Sequence, residues 1–133
     1  MDIFKKLKEL NLPLGEYVLV GSGPLAARGI REANDLDIAV TDKLWQKLLI
    51  SGKYQKTERY GRIFLEADGI DIIKHLSWEK YPTTVENSIQ TADIIQGYPF
   101  LNIEETIKFK QAMGREKDFQ DIKLLKEYLD NNQ

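Results

Sequence analysis

The stretch from Val18 to Val40, VLVGSGPLAARGIREANDLDIAV, constrains the fold of this chain more than any other. Residues 17–20 form a short apolar run between two glycines, which is typical of a buried strand. The next turn, at 21–23, contains two glycines, so it permits a close backbone approach and opens a helix whose free N–H groups suit a phosphate. A second apolar run at 36–40 predicts a second strand. The stretch therefore predicts a strand, a glycine-rich turn, a short helix and a strand.

Asp35 and Asp37 stand at the beginning of the second predicted strand. Side chains two residues apart on a strand leave the same face, so we expect the two carboxylates to lie close together. Such a pair is unfavourable unless a cation or a raised pKa relieves the repulsion. Mg²⁺ is the simplest relief, because it prefers carboxylate oxygens and often links them to substrate phosphates. The alternative is a loop with two solvated aspartates before a surface strand.

These residues resemble the signature of the DNA polymerase β-like nucleotidyltransferase superfamily: a hydrophobic residue, Gly, Gly or Ser, a spacer, and Asp-hydrophobic-Asp. The residues that match it are Val20, Gly21, Ser22, Asp35 and Asp37. Ala26 and Arg31 extend the similarity to small single-domain bacterial or archaeal members, including minimal and antibiotic nucleotidyltransferases. Ala33 stands where those members usually have Thr or Ser.

Composition excludes several other classes. The chain has 133 residues, 42% hydrophobic and 30% charged, which suits one domain over residues 1–133. Its net charge of −2 argues against a general nucleic-acid binder. With no cysteine and a single histidine, His75, thiolate chemistry and a histidine-rich metal site are excluded. The sequence shows neither a signal peptide nor a membrane-spanning run, so we expect a cytoplasmic protein.

Outside the first stretch, periodicity and capping signals predict further elements. The predicted helices cover 2–10, about 42–50, 84–91 with a capping box from Thr83, 103–113 after Asn102, and a last helix to about 129 that buries Phe119. The predicted strands are 54–59, 62–67 and 70–74, with Asp68-Gly69 as a hairpin turn, and two short edge strands around 93–101.

Asp71 lies inside the apolar run Ile70–Ile73. Taken alone, it favours a half-buried strand whose polar face meets water. The resemblance implies instead a third carboxylate that completes a metal-binding triad with Asp35 and Asp37 and that orients or deprotonates an acceptor hydroxyl. We interpret His75, two residues beyond the run, as structural or at the substrate edge. Trp78 and Tyr81 could stack on a ligand or pack, and the sequence does not decide between them.

Lys110 falls near the middle of the apolar arc of its predicted helix. Such a lysine either extends to water or meets a carboxylate or phosphate. The stretch from it to Asp121 resembles a K-x-x-x-G-R-x-K-D-x-x-D motif of small nucleotidyltransferase-like proteins, which implies a position near the active site. The resemblance makes Arg115 and Lys117 candidate phosphate or acceptor contacts, whereas Asp118 and Asp121 could fix the helix junction by salt bridges.

Together the resemblances imply an α/β (α+β) nucleotidyltransferase fold, a mixed β-sheet with helices packed mainly on one face. They imply transfer of a nucleoside monophosphate from an NTP, with ATP as the expected donor, to an acceptor hydroxyl. Catalysis would use two Mg²⁺ ions, or Mn²⁺, on Asp35, Asp37 and Asp71, and Gly21, Ser22, Arg31 and Lys110 would bind the nucleotide. The expected acceptor is a small molecule or a partner protein, with RNA less favoured and no membrane partner. The alternative is a non-catalytic nucleotide-binding or interaction module, such as an antitoxin that retains the fold; Ala33 is its main support.

Overall fold

The computed structural model describes residues 1–132. Its helices are α1 (Ile3–Leu10), α2 (Gly23–Ala26), α3 (Asp42–Ser51), α4 (Val85–Gln90), α5 (Ile103–Met113) and α6 (Glu116–Asn131). Its strands are β1 (Tyr17–Val20), β2 (Leu36–Val40), β3 (Gln55–Arg59), β4 (Arg62–Ala67), β5 (Ile70–Ile73), β6 (Asp93–Ile95) and β7 (Tyr98–Phe100). The first predicted stretch is confirmed as β1, α2 and β2. None of the helices within residues 1–132 combines the length and apolar character that a membrane crossing requires.

All the strands form one seven-stranded sheet in the order β3-β4-β5-β2-β1-β7-β6. β2 runs parallel to β5, and β1 runs parallel to β7. The remaining neighbours are antiparallel, including β1 with β2 and the two hairpins β3–β4 and β4–β5. The expected mixed sheet in an α/β chain is therefore confirmed.

The central strands separate two apolar clusters. Tyr17 and Leu19 of β1 belong to the first cluster, which α1 and α3 cover. Val18 and Val20, which alternate with them, belong to the second cluster, which receives Val85 of α4 and Phe109 of α5. Every residue of β1 is buried, so both faces need a cover. The helices consequently lie on both faces, and the expectation that they pack mainly on one face is wrong.

Helix caps follow the sequence closely. The side chains of Asp2, Thr41 and Asn102 accept hydrogen bonds from backbone N–H groups three residues on, which satisfies donors left free in the first turn. Gly52 and Gly114 end α3 and α5 in the left-handed region. The predicted boundaries of α3 and α5 are confirmed, whereas α1 begins at Ile3, one residue later than predicted, because Asp2 is its N-cap.

Three predicted details are wrong. Thr84, not Thr83, caps α4, because its side chain accepts from the N–H of Asn87. β7 is not an edge strand, since it pairs with β1 as well as with β6. Phe119 was predicted to be buried, but it is 56% exposed. The buried side of α6 consists of Asp118, Asp121, Ile122 and Leu125, and Phe119 lies outside this stripe.

Candidate active site

The sheet register places the predicted carboxylates in one row. Asp37 pairs with Val20 on one side and with Asp71 on the other, and Asp71 pairs in turn with Glu66. Residues paired across a sheet project their side chains from the same face, and Asp35 shares that face two residues before Asp37. Three strands therefore present acidic side chains to one surface. It is the face of Val20 and of the second apolar cluster.

An open cleft of about 240 Å³ lies over this row. Most of the sequence-predicted site residues line it, namely Gly21, Ser22, Asp35, Asp37, Asp71, Arg115 and Lys117. His75 also lines it, at the position predicted for a substrate edge, although β5 ends before it. Residues of the first stretch, Asp71, and residues of the stretch from Lys110 to Asp121 thus meet at one cleft.

Gly21 holds the backbone directly against the central carboxylate. It has a φ of +68°, and a Cβ at this position would lie 2.3 Å from Oδ2 of Asp37. Only glycine satisfies both the left-handed backbone and this close approach. Ser22 follows at the cleft, and its side chain makes no capping hydrogen bond to α2. The turn therefore aligns the main chain and a hydroxyl beside Asp37.

The environment of Asp37 disfavours its ionised form. Burial raises its pKa, and the negative charges of Asp35 and Asp71 raise it further, to about 6 from an ordinary value of 3.8. Lys110 and Arg59 oppose this shift without cancelling it. The three carboxylates therefore act on one another as a cluster, and a cation at the cleft would relieve the repulsion among them.

Arg59 is a cleft residue that the sequence reasoning missed. Its Nη2 lies 3.0 Å from Oε1 of Glu66 and 3.2 Å from Oδ1 of Asp71, and its guanidinium lies 4.4 Å from the centre of the Phe64 ring. The sequence feature that predicts its position is the two-residue turn Tyr60-Gly61 directly after Arg59. Both turn residues have positive φ, as a type I′ hairpin requires. Such a turn pairs the residues on either side of it, so their side chains share a face, here the face of the aspartates.

Arg62, on the other side of that turn, organises the aromatic wall of the cleft. Its guanidinium lies 4.0 Å from the centre of the Trp78 ring and donates hydrogen bonds to the carbonyls of His75 and Ser77. Trp78 lines the cleft. Tyr81 instead packs: it is 5% exposed, and its hydroxyl donates to Glu105 at 3.0 Å. Of the two undecided aromatics, Trp78 is placed to meet a ligand.

Arg31 and Lys110 lie away from the cleft lining in the described part of the chain. Arg31 donates from Nε and Nη2 to both oxygens of Asp121 at 2.7 Å, and Nζ of Lys110 lies 2.9 Å from the same carboxylate. Lys110 is 4% exposed. Burial alone would raise the pKa of Asp121, but the two cations outweigh it and hold that pKa below its ordinary value. Lys110 thus pairs with a carboxylate, which is one of the environments predicted for it.

The same ion pairs fix the helix junction, as predicted for Asp118 and Asp121. Arg115 Nε lies 2.7 Å from Oδ2 of Asp118, and Lys110 lies 3.8 Å from that residue. Arg31 lies in the loop before β2, four residues before Asp35. Asp121 of α6 binds both Arg31 and Lys110 of α5, so it links this loop to the two helices. Ala33, in this loop, is fully buried in the first apolar cluster and does not line the cleft.

Comparison with known proteins gives no assignment. No protein-family model matches the chain, and no curated protein matches it. The function is therefore inferred from the chemistry of the cleft.

The donor set of the cleft suits a hard cation. Within residues 1–132, no three carboxylate or imidazole side chains are gathered closely enough to hold a metal ion by themselves. Of the three carboxylates predicted to bind a metal, Asp71 forms an ion pair with Arg59, whereas Asp35 and Asp37 form none with residues 1–132. Mg²⁺ commonly uses one or two carboxylates together with ligand phosphates, rather than a complete protein cage. Asp35 and Asp37 fit that mode of binding, because burial and the neighbouring negative charges together raise the pKa of Asp37 and a bound cation would offset both.

Proposed function

We propose that this chain is a metal-dependent nucleotidyltransferase, with the fold of the family its sequence resembles, which moves a nucleoside monophosphate from ATP or another NTP to an acceptor hydroxyl. The observation that carries the proposal is the row of Asp35, Asp37 and Asp71 on one sheet face, beside the Gly21 turn and at an open cleft. A purely structural role does not account for it, since mutually repelling carboxylates weaken a fold.

In this proposal Asp35, Asp37 and Asp71 would hold Mg²⁺, or Mn²⁺, together with the phosphates of the nucleotide. The bound cation would supply charge neutralisation on the phosphates and a lower pKa for the acceptor hydroxyl. Ser22 and the backbone after Gly21 line the side of the cleft where the phosphates would lie.

The chain's own residues have separate roles in the transfer. The acceptor oxygen forms a bond to the α-phosphorus while the bond from that phosphorus to the bridging oxygen breaks, and pyrophosphate leaves. Asp71 orients the acceptor hydroxyl and accepts its proton. Arg115 and Lys117 line the cleft and would offset the charge that develops on the pyrophosphate. Arg31 and Lys110 act as positioning residues through Asp121.

The acceptor is a small molecule or a partner protein that enters past Trp78 and the loop after β5. Trp78 offers an aromatic surface beside the carboxylates, and Arg62 fixes that loop by its hydrogen bonds to two carbonyls. RNA is less favoured, because the chain has a net charge of −2.

The proposal is tested by pyrophosphate release from ATP and Mg²⁺ across a panel of small-molecule and protein acceptors, with label in the α-phosphate to follow the product. Asp37→Asn and Asp71→Asn should abolish transfer, because each removes a carboxylate from the row. Asp68→Asn is the matched control: it makes the same change in the β4–β5 turn, where Asn-Gly is equally suitable. Full Mg²⁺-dependent transfer by Asp37→Asn would show the assignment to be wrong.

A second candidate is a non-catalytic nucleotide-binding or interaction module, such as an antitoxin. The ion pair between Arg59 and Asp71 favours it, because it neutralises one carboxylate of the row from within the chain. This candidate requires ATP binding in calorimetry without pyrophosphate release for any acceptor. Release with any one acceptor decides for the enzyme.

A further inference from the structure

Arg59 contacts the acidic row through its guanidinium. Its Nη2 lies 3.0 Å from Glu66 and 3.2 Å from Asp71, and its Cζ lies 4.4 Å from the centre of the Phe64 ring. Its side chain is 44% exposed, against 23% for that of Asp71. An ion pair with this much solvent is weak and is easily exchanged.

We propose that Arg59 is a resident counterion that competes with a divalent cation for Asp71 and moves to the phosphates of the ligand when the cation binds. This proposal rests on the proposed metal site, and it states how Arg59 controls cation binding there. The cleft would discriminate against a bare cation and in favour of a cation that arrives with phosphates.

The contacts of Arg59 carry this inference. A divalent cation on Asp71 would lie within a few ångströms of the Arg59 guanidinium, and the repulsion between the two positive charges disfavours the ion pair while the cation is bound. Glu66 and Phe64 remain as contacts when that ion pair is lost, and they keep Arg59 at the cleft. A guanidinium released from a carboxylate presents a planar set of donors that matches phosphate oxygens.

Two binding measurements with opposite expected signs test the proposal. Titration of Mn²⁺ alone, followed by calorimetry, should show about tenfold tighter binding to Arg59→Gln than to the wild type, since one positive charge in contact with the row is lost. Titration of Mg²⁺ with a non-hydrolysable ATP analogue should show about tenfold weaker binding to the same variant, since a phosphate donor is lost. A merely structural role for Arg59 would weaken both.

Two other variants define the specificity of the effect. Lys56→Gln removes a positive charge from the same strand, but Lys56 is exposed and pairs with Leu65 of the first apolar cluster, so it lies on the opposite face. It should leave both affinities within about twofold of the wild type, as expected for a distant screened charge. Glu66→Gln should weaken Mn²⁺ binding, because Arg59 then pairs with Asp71 alone.

The outcomes separate this inference from the proposed function. If Mn²⁺ binds to the wild type and not to Asp37→Asn, but Arg59→Gln leaves its affinity unchanged or lower, the metal site stands and the role of Arg59 is wrong. Equal tightening in Lys56→Gln would also overturn the inference, because net charge would then explain the effect. If no variant binds Mn²⁺ or the nucleotide complex, both proposals fail.

Discussion

Replacing Asp37 by asparagine should stabilise this protein at neutral pH. Asparagine has nearly the same shape as aspartate, so the packing against Gly21 is retained while the charge is removed. The ionised carboxylate is unfavourable where it lies, because burial and the charges of Asp35 and Asp71 oppose its ionisation. A stabilising substitution in the centre of a proposed active site is the expected consequence of placing repelling charges together for function.

The size of the effect follows from the pKa. Burial and the neighbouring carboxylates raise the pKa of Asp37 from 3.8 to about 6. Since each tenfold change in proton affinity corresponds to about 1.36 kcal/mol, ionised Asp37 costs the folded state about 3 kcal/mol. A gain of that order would raise the unfolding temperature by roughly 10 °C in a domain of this size.

The pH dependence has a definite sign. Between pH 3.8 and about 6 the folded protein binds more protons at Asp37 than the unfolded chain does, so stability falls as the pH rises through this window. The cost is fully present above the folded pKa and absent below the unfolded one. The advantage of Asp37→Asn should therefore be largest at pH 7 and should vanish near pH 4.

Urea denaturation of the wild type and of Asp37→Asn at pH 7.5, 5 and 4 measures this directly, with Asp68→Asn as the matched control. At pH 7.5, Mg²⁺ with nucleotide should stabilise the wild type and not Asp37→Asn, since a ligand stabilises only the fold that binds it. If Asp37→Asn were less stable than the wild type at pH 7.5, or showed the same difference at all three pH values, the electrostatic account of the cleft would be refuted.

Three other substitutions test separate parts of the structure by the same denaturation assay. Asp121→Ala should cost about 3–5 kcal/mol, because it leaves the buried Lys110 without its closest carboxylate; a loss below about 1 kcal/mol would contradict the role given to this cluster. Gly21→Ala should destabilise by at least about 1–2 kcal/mol, because of its positive φ and the clash with Asp37, and should also weaken nucleotide binding. Tyr81→Phe should cost about 1 kcal/mol for its hydrogen bond to Glu105 and leave nucleotide affinity unchanged, since Tyr81 packs rather than lines the cleft.

The sequence predicted those features of the fold that are encoded locally. The cap Asn102 and the stop at Gly114 each act within one turn of helix, so the identity of these two residues is sufficient to place the ends of α5. Thr83 failed as a cap because two adjacent threonines offer the same signal one residue apart. The Asp68-Gly69 turn signal and the apolar run after it likewise predicted that Asp71 lies on a strand.

The parts of the site that were missed depend on pairing between distant segments. Arg59 reaches Asp71 because β3, β4 and β5 are neighbours in register, and a shift of one residue would send its side chain to the other face. Arg31 and Asp121 are 90 residues apart in the chain, so local patterns could not predict their contact. The motif placed Lys110 near the site, but its partner was decided by the packing of α5 on α6.

Two aspartates with opposite environments separate structure from function in this molecule. Asp121 is met by Arg31 and Lys110, and its pKa is lowered, so its charge is compensated within the chain. Asp37 is met by two further carboxylates, and its pKa is raised. A carboxylate that only supports the fold is expected to be paired with a positive side chain, as Asp121 is. Uncompensated charge in a cleft is typical of functional sites, because the missing positive charge is brought by a ligand. The contrast is measurable, because Asp37→Asn should stabilise the protein and Asp121→Ala should destabilise it. This contrast favours a cation-dependent activity as the interpretation of the cleft.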